Sequence, residues 1–331
     1  MRWISVLFFV MMIGLTLATT EVNAKSTYQK EDVGRYALYH KMEAITSIPW
    51  YYIAAVDQYE RSIRRAQKDL PEEKGLIGIY FSPRQWVGPL NPNLDDTNPA
   101  TISIFEGVGL DGNGDGKVDR KNDEDVLYTF SHYLQSYGSD EENLKIGLWE
   151  YYHRDKTVGI IMGMAKVFKE FETLSLHDRS FPVPLRSNYS YRNTWGDRRG
   201  YGGLRIHEGT DIFADYSVPV RATTYGIVEV AGWNRFGGWR VGIRDLNNVY
   251  HYYAHLRGFE KGIGKGSIVK PGQVIGYVGS SGYGPPGTQG KFPPHLHYGM
   301  YRYNGYSEWS FDPYPYLRAW ERQERIKNRK K

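Results

Sequence analysis

The 331-residue chain contains no cysteine. That excludes a disulfide framework, common in exported eukaryotic domains, and points towards a bacterial cell-surface protein. Long apolar runs are nearly as scarce: beyond residue 18 no segment is apolar enough to span a bilayer. There is no internal repeat. Excess charge is missing from most of the chain as well. The formal net charge is +5, and Arg318 to Lys331, with seven Lys or Arg against Glu321 and Glu324, accounts for all of it. The remainder is neutral, so no nucleic-acid partner is expected. The basic tail over 318–331 either leans on an anionic wall or membrane surface, or is a solvated helix end.

The apolar run that does occur is N-terminal. In "MRWISVLFFVMMIGLTLATTEVNA", Arg2 supplies a positive start, Trp3 to Ala18 the apolar stretch and Val22-Asn23-Ala24 a small-residue cleavage site. Residues 1–24 read as a secretory signal peptide, with an uncleaved anchor as the alternative. No stable membrane insertion is expected after cleavage. Export through a bacterial membrane gives Asn188-Tyr189-Ser190 little weight as a glycosylation site. The 28 Tyr and 9 Trp would suit sugar or peptide ligands where they are exposed.

Residues 25–175 read as helical. "PWYYIAAVDQYERSIRRAQKDL", "DEDVLYTFSHYLQSYG" and "KTVGIIMGMAKVFKEFETL" place apolar residues three and four apart. A connector rich in Pro, Gly and Asn follows over 176–200 and predicts a surface linker. From Leu204 the chain changes to short β-like runs separated by glycine turns, such as "WRVGIRDL", "VYHYYAHL" and "GQVIGYVG". This predicts an α+β multidomain protein: a helical domain, then an antiparallel β domain over 201–317.

Five of the nine histidines (His207, His251, His255, His295 and His297) fall in the β half. In "RIHEGTD", His207 and Asp211 are four apart across Gly209. On an extended backbone that even spacing aims both side chains to one face. Nitrogen and carboxylate oxygen are donors that zinc accepts, and Gly209 allows a close backbone approach. His255 ends the aromatic strand "YYAHL"; alone it reads as a half-buried, hydrogen-bonded histidine. In "PPHLHYG", His295 and His297 share one face and Leu296 takes the other, so one imidazole can ligate while its neighbour faces whatever the metal holds. Two His and one Asp would leave the fourth zinc position to water, with two imidazoles beside it for proton transfer near pH 7.

"HEGTD", "YAHL" and "HLH" resemble, in order and spacing, the motifs of the lysostaphin- and LytM-like zinc endopeptidases that cut bacterial peptidoglycan. The resemblance runs from about Tyr201 to Leu317 and includes "KPGQVIGYVGSSG". It implies zinc held by His207, Asp211 and His297, with His255 and His295 as the catalytic pair acting on a zinc-bound water. His251 matches no motif. "GYGPPGTQGKFPP" departs from the family's shorter Gly-rich turn, and Pro293 stands where glycine is expected, which puts substrate detail in doubt rather than zinc. A signal peptide, a helical domain and this β domain together resemble the L-alanyl-D-glutamate endopeptidases of spore-forming bacteria, which trim stem peptides of the spore cortex.

The helical half holds two further candidates. "DGNGDGKVDRKNDED" sets Asp111, Asn113, Asp115 and Asp119 at positions 1, 3, 5 and 9 of an EF-hand-like loop, with Gly116 at position 6. Asn122 replaces the bidentate Glu, with Asp123 or Asp125 as substitutes, so a weaker calcium site is one expectation and an acidic turn the other. "IPWYYIAAVDQYE" resembles the lysozyme-like fold of lytic transglycosylases, which implies Glu60 as a glycosidase acid. Arg61 replaces the family's serine, and a nearby cation would hold Glu60 ionised, wrong for that role. The sequence therefore predicts a monomeric, extracytoplasmic zinc endopeptidase acting on peptidoglycan stem peptides in the cell wall or forespore cortex. A non-catalytic wall-binding module and a bifunctional hydrolase with a live glycosidase are the alternatives.

Overall fold

The computed structural model describes residues 31–67, 75–200 and 204–329. The signal segment expected over 1–24 lies outside them. Among the described residues no helix is long and apolar enough to cross a membrane.

The first half is helical: α1 (31–46), α2 (Trp50–Ala66), α3 (Pro83–Val87), α4 (Pro99–Ile104), α5 (Asp123–Gln135), α6 (Glu141–Tyr152) and α7 (Asp155–Phe171). Helix α2 buries Ile53, Val56, Tyr59 and Ile63, the three- and four-residue repeat of one helix face. It packs along α7, which buries Val158, Ile161, Met162, Ala165 and Phe168. The Asn122 side chain caps α5 by accepting from the Glu124 and Asp125 amides, and Asp123, Glu124 and Asp125 occupy the first turn, where acidic groups suit the helix dipole. Buried Asp57 joins α1 to α2, accepting from Tyr39 Oη at 2.6 Å, Arg35 at 3.0 Å and Arg61 at 3.1 Å.

The second half contributes β1 (Tyr189–Tyr191), β2 (Arg198–Arg199), β3 (Arg205–Ile206), β4 (Thr210–Ala214), β5 (Pro219–Arg221), β6 (Gly226–Asn234), β7 (Gly238–Asp245), β8 (Val249–Phe259), β9 (Ile268–Val269), β10 (Val274–Val278), β11 (His295–Tyr303) and β12 (Glu308–Phe311), then α8 (Tyr314–Arg329). The main sheet runs β1-β4-β11-β8-β7-β6-β9, with β12 on the far end of β11 and β10 pairing both β8 and β5; every pairing is antiparallel. One sheet face buries Ile212, Val241, Ile243, Tyr253, Leu296 and Tyr298 in a core that also takes Leu317 and Trp320 of α8. The opposite face of β4, β11, β8 and β7 is the floor of an open cleft.

Strand β8 carries a bulge that shapes this cleft. Trp239 pairs with Leu256 but Val241 with Tyr253, so Arg240 alone opposes both Ala254 and His255. His255 takes up the extra residue with φ +62°, and its amide donates to the Gly237 carbonyl at 2.7 Å. Strict alternation would put His255 in the core with His251 and Tyr253. The bulge turns it to the cleft face instead.

The stretch over 176–200 differs from the surface linker its composition predicts. Phe181 and Val183 are fully buried in the β core, Tyr189–Tyr191 pairs β4, and Arg198–Arg199 pairs β3. Its Pro and Gly residues mark turns, but between them the apolar residues fill a core position. The basic tail is likewise anchored: Trp320 and Glu321 are buried, Glu321 accepts from Tyr189 and Tyr191 at 2.6 Å each, and Glu324 pairs with Arg221 at 3.0 Å. The two halves also share buried surface. Leu246 and Tyr303 of the β half sit in the helical core, Phe171 meets Tyr225 edge-on at 4.9 Å, and Lys156 pairs with Glu308 at 3.1 Å.

Candidate active site

Strand register brings the sequence-predicted residues of the β half together. His297 lies directly across from Asp211, and His295 from Phe213. His207 enters from the turn between β3 and β4. His207 Nε2 and His297 Nδ1 are 2.8 Å apart, and Asp211 Oδ1 is 3.1 Å from each. Among the described residues this is the group of three potential ligands whose donor atoms converge within 4.8 Å. Gly209 makes that convergence possible: a Cβ there would stand 2.6 Å from Cε1 and 2.7 Å from Nε2 of His297.

The hydrogen bonds around these side chains fix which nitrogen faces inward. The Thr194 carbonyl, which can only accept, lies 2.7 Å from His207 Nδ1; that nitrogen therefore carries the proton and Nε2 offers its lone pair. Thr194 Oγ1 also accepts from the Asp211 amide at 3.0 Å. Arg199 donates to Asp211 Oδ2 at 2.6 Å, which leaves Oδ1 to the convergence point. Burial alone would raise the Asp211 carboxyl, but the imidazoles of His207, His297 and His295 beside it outweigh burial and hold the group well below the usual carboxylate range. Burial lowers His297, only partly offset by Asp211. The set thus presents two imidazole nitrogens and an ionised carboxylate.

Those donors suit zinc. Tetrahedral coordination at 2.0–2.2 Å places ligand atoms roughly 3.3 Å apart, close to the separations between these three. The outward nitrogen of His207 and the outward oxygen of Asp211 are already held by Thr194 and Arg199, as the partners of metal ligands commonly are.

His255 and His295 flank this point, with ring centroids 4.8 Å apart. His255 Nδ1 donates to the Ser281 carbonyl and His295 Nδ1 to the Pro293 carbonyl, each at 2.8 Å, so both rings present an unprotonated Nε2 towards the cleft. His295 Nε2 is 3.8 Å from Asp211 Oδ1. Burial lowers the pKa of both; for His255 the neighbouring His295 and His297 deepen the shift. Phe292 packs edge-on against His255 at 4.6 Å, and Tyr283 stacks beside it at 6.0 Å. Both belong to the long loop ahead of HLH, so that loop lies at the rim of a cleft of about 1000 Å³.

His251, which matches no motif, is a core residue: Nε2 meets Asp245 at 3.2 Å and Nδ1 the Tyr298 hydroxyl at 2.7 Å. Thr194, Arg199 and Ser281 escaped the sequence reading. Their roles arise from a backbone carbonyl or a strand register, for which the sequence carries no signal.

The helical candidates are not brought to the cleft. In the EF-hand-like loop, Asp111 accepts from the Gly114 and Gly116 amides, Asn113 from Asp115, Asp115 from Lys117, and Asp119 from Lys121. Asn122 caps α5, Asp123 accepts from Leu76 and Ile77, and Asp125 from Gly112 and Asp119. The loop is a run of self-capped turns, the arrangement of the acidic-turn reading. For Glu60 the expected effect of Arg61 is reversed. Arg61 turns to Asp57 and the Leu76 carbonyl, and burial pushes the Glu60 carboxyl up to about 7, against an opposing hydrogen bond from Tyr152 at 2.6 Å. A cavity of about 510 Å³ lies nearby, lined by Gln85, His132, Tyr133, Glu150 and Tyr151 among others, but not by Glu60.

The chain is similar to known proteins over most of its length. The chain is 66% identical over 290 residues to the L-Ala–D-Glu endopeptidase of Bacillus subtilis, covering 88% of this chain and 89% of that one. It is 32% identical over 144 residues to a glycyl-glycine endopeptidase of Staphylococcus capitis, covering 40% of this chain and 37% of the relative. A solved structure of a putative glycyl-glycine endopeptidase from Ruminococcus gnavus matches with 36% identity over 56% of this chain and 74% of that chain, at a TM-score of 0.41. Residues 205–312, which hold all five clustered side chains, match Peptidase family M23, and with the near full-length relative this places the chain in that family.

Proposed function

We propose that the protein is a zinc-dependent endopeptidase that hydrolyses the L-Ala–D-Glu bond of peptidoglycan stem peptides. The observation that carries this reading is the convergence of His207 Nε2, Asp211 Oδ1 and His297 Nδ1, with two further imidazoles aimed at the same point. Zinc, when bound, supplies a Lewis acid that polarises the scissile carbonyl and acidifies water. The protein's own groups do the rest. His255 and His295, kept neutral by burial and with Nδ1–H tied to backbone carbonyls, each offer Nε2 to take a proton from the attacking water and to return it to the leaving nitrogen. Identity of 66% to an L-Ala–D-Glu endopeptidase over nearly the whole length supports the choice of bond.

The protein acts outside the cytoplasm, as a monomer, on cell-wall or spore-cortex peptidoglycan, after removal of residues 1–24. The helical half, with a lysozyme-like fold, binds and positions glycan strands beside the peptidase cleft. Mass spectrometry of digested cortex peptidoglycan tests the bond directly: cleavage yields new C-terminal L-Ala and new N-terminal D-Glu, and any other pair of termini overturns the assignment. Chelator should abolish turnover and zinc restore it. His297→Ala should lose metal, whereas His295→Ala should keep it and lose turnover by at least ~100-fold. A fully active His295→Ala enzyme would remove that residue from the chemistry.

A further inference from the structure

A D-Glu residue has two carboxyl groups, and only one can continue the peptide chain. Whichever it is, the other remains a free carboxylate within one residue of the bond proposed to be cut, on the side of the leaving nitrogen. A cleft built for that bond needs a cation at a fixed distance from the metal ligands, and its charged lining can be searched for one.

Among the described residues four cationic side chains reach the cleft: Arg199, Arg205, Arg240 and Lys291. Three are occupied by the protein itself. Arg199 holds Asp211. Arg205 donates to the Tyr283 hydroxyl and lies over the Phe236 ring at 5.5 Å. Lys291 donates to the Tyr283 carbonyl at 2.6 Å. Arg240 differs in what holds it. Among the described residues it has no carboxylate partner; its guanidinium stands 5.9 Å from the centre of the Tyr252 ring and hydrogen-bonds that side chain, and its Nε, like that of Arg199, is buried without a hydrogen-bond partner.

The position of Arg240 follows from the sheet. Asp211 on β4 pairs with His297 on β11, His297 pairs with Ala254 on β8, and Arg240 on β7 faces Ala254 across the bulge. These four residues form one row across four strands on the cleft face. With strands roughly 4.8 Å apart, the Arg240 backbone lies about 10 Å from that of His297. Between them the floor is Ala254, and the Tyr252 ring, 5.8 Å from the His297 ring and 5.9 Å from the guanidinium, lines the same stretch. From there a guanidinium can face the residue beyond the scissile bond, and its planar fork matches a carboxylate bidentately. A cation whose Nε is desolvated and unpaired is costly to keep, and an incoming carboxylate would satisfy it.

Resting on the reading of the substrate as an L-Ala–D-Glu bond, we propose that Arg240 is the specificity-determining residue that binds the free carboxylate of D-Glu, selecting an acidic residue on the leaving side of the cut. The experiment compares two soluble stem-peptide substrates, one with the free carboxylate of D-Glu intact and one with it converted to a carboxamide. For the zinc-loaded wild-type enzyme, kcat/KM should favour the carboxylate by roughly 30-fold, the discrimination expected of a hydrogen-bonded charge pair. Arg240→Gln should bring the ratio of the two kcat/KM values close to one, and Arg240→Lys should restore part of it. Products cut at L-Ala–D-Glu with no wild-type preference between the substrates would overturn the anchor alone. So would an Arg240→Gln enzyme that keeps the wild-type ratio. Products showing another bond would overturn the reading of the substrate, and the anchor with it. The wild-type comparison needs no variant and can overturn the anchor alone; if Arg240→Gln folds poorly, Arg240→Lys reads the share of Arg240, and an unchanged ratio in it would also overturn the anchor.

Discussion

At the scale of single residues, the site depends on a missing side chain as much as on those present. Gly209 leaves room for the His297 ring, and a methyl group there would stand 2.6 Å from Cε1, well inside contact distance. The same Cβ would stand 2.7 Å from the Tyr298 carbonyl oxygen, so the backbone there must shift together with the ring, and Gly209→Ala should displace a ligand. We expect zinc affinity to fall by at least ~10-fold, the scale of losses when a metal ligand's support is disturbed, with a stability cost of about 1–3 kcal/mol from overpacking. Competition with a chelator of known affinity reads the first, and urea unfolding of the metal-free protein the second. Unchanged zinc affinity in the variant would show that the ring relaxes freely. Gly209 was legible in the sequence because it lies between two ligand types. Thr194 was not: what it offers His207 is a backbone carbonyl, which any residue has.

At the scale of elements, the alternation of a strand accounts for His295 and His297, and it misplaces His255. By parity His255 belongs with His251 and Tyr253, which are buried. The bulge at Ala254–His255 reverses it, at the cost of a left-handed backbone in a non-glycine residue. A bulge is set by the pairing with β7, so no run of residues within β8 announces it. Helix α8 gives the complementary lesson. Its sequence reads as a basic tail, because charge dominates the composition while the docking face is only Leu317, Trp320 and Glu321. Trp320 is 7% exposed and packs on Tyr298 and His251. Trp320→Ala should therefore destabilise the β half by about 3 kcal/mol or more, measured by denaturant unfolding. A loss below ~1 kcal/mol would return α8 to the status of a solvated tail.

At the scale of the whole molecule, titrations of opposite sign lie on either side of a shared interface. In the β half, burial lowers the pKa of His251, and the Asp245 carboxyl is held down by His251 and Arg179 against the opposing effect of its own burial. Both groups bind fewer protons folded than unfolded: the His251 contribution is present above pH ~6.5 and is lost as pH falls below it, and the Asp245 contribution is present above pH ~3.8 and is lost only below that. Glu60, raised to about 7 from an ordinary 4.5, binds more protons when folded. Its contribution is present below pH ~4.5 and is lost as pH rises through 7. Because Leu246 and Tyr303 are buried in the helical core, unfolding either half strips apolar surface from the other, and we expect one calorimetric transition carrying both limbs. Glu60→Gln should remove the alkaline limb alone, so that the variant melts above wild type at pH 8 and the difference shrinks towards pH 5. A variant that melts at or below wild type at pH 8 would mean that the charged carboxylate is solvated in the native protein. Two separate transitions would mean that each half folds independently of the other, and the limbs would then appear one in each.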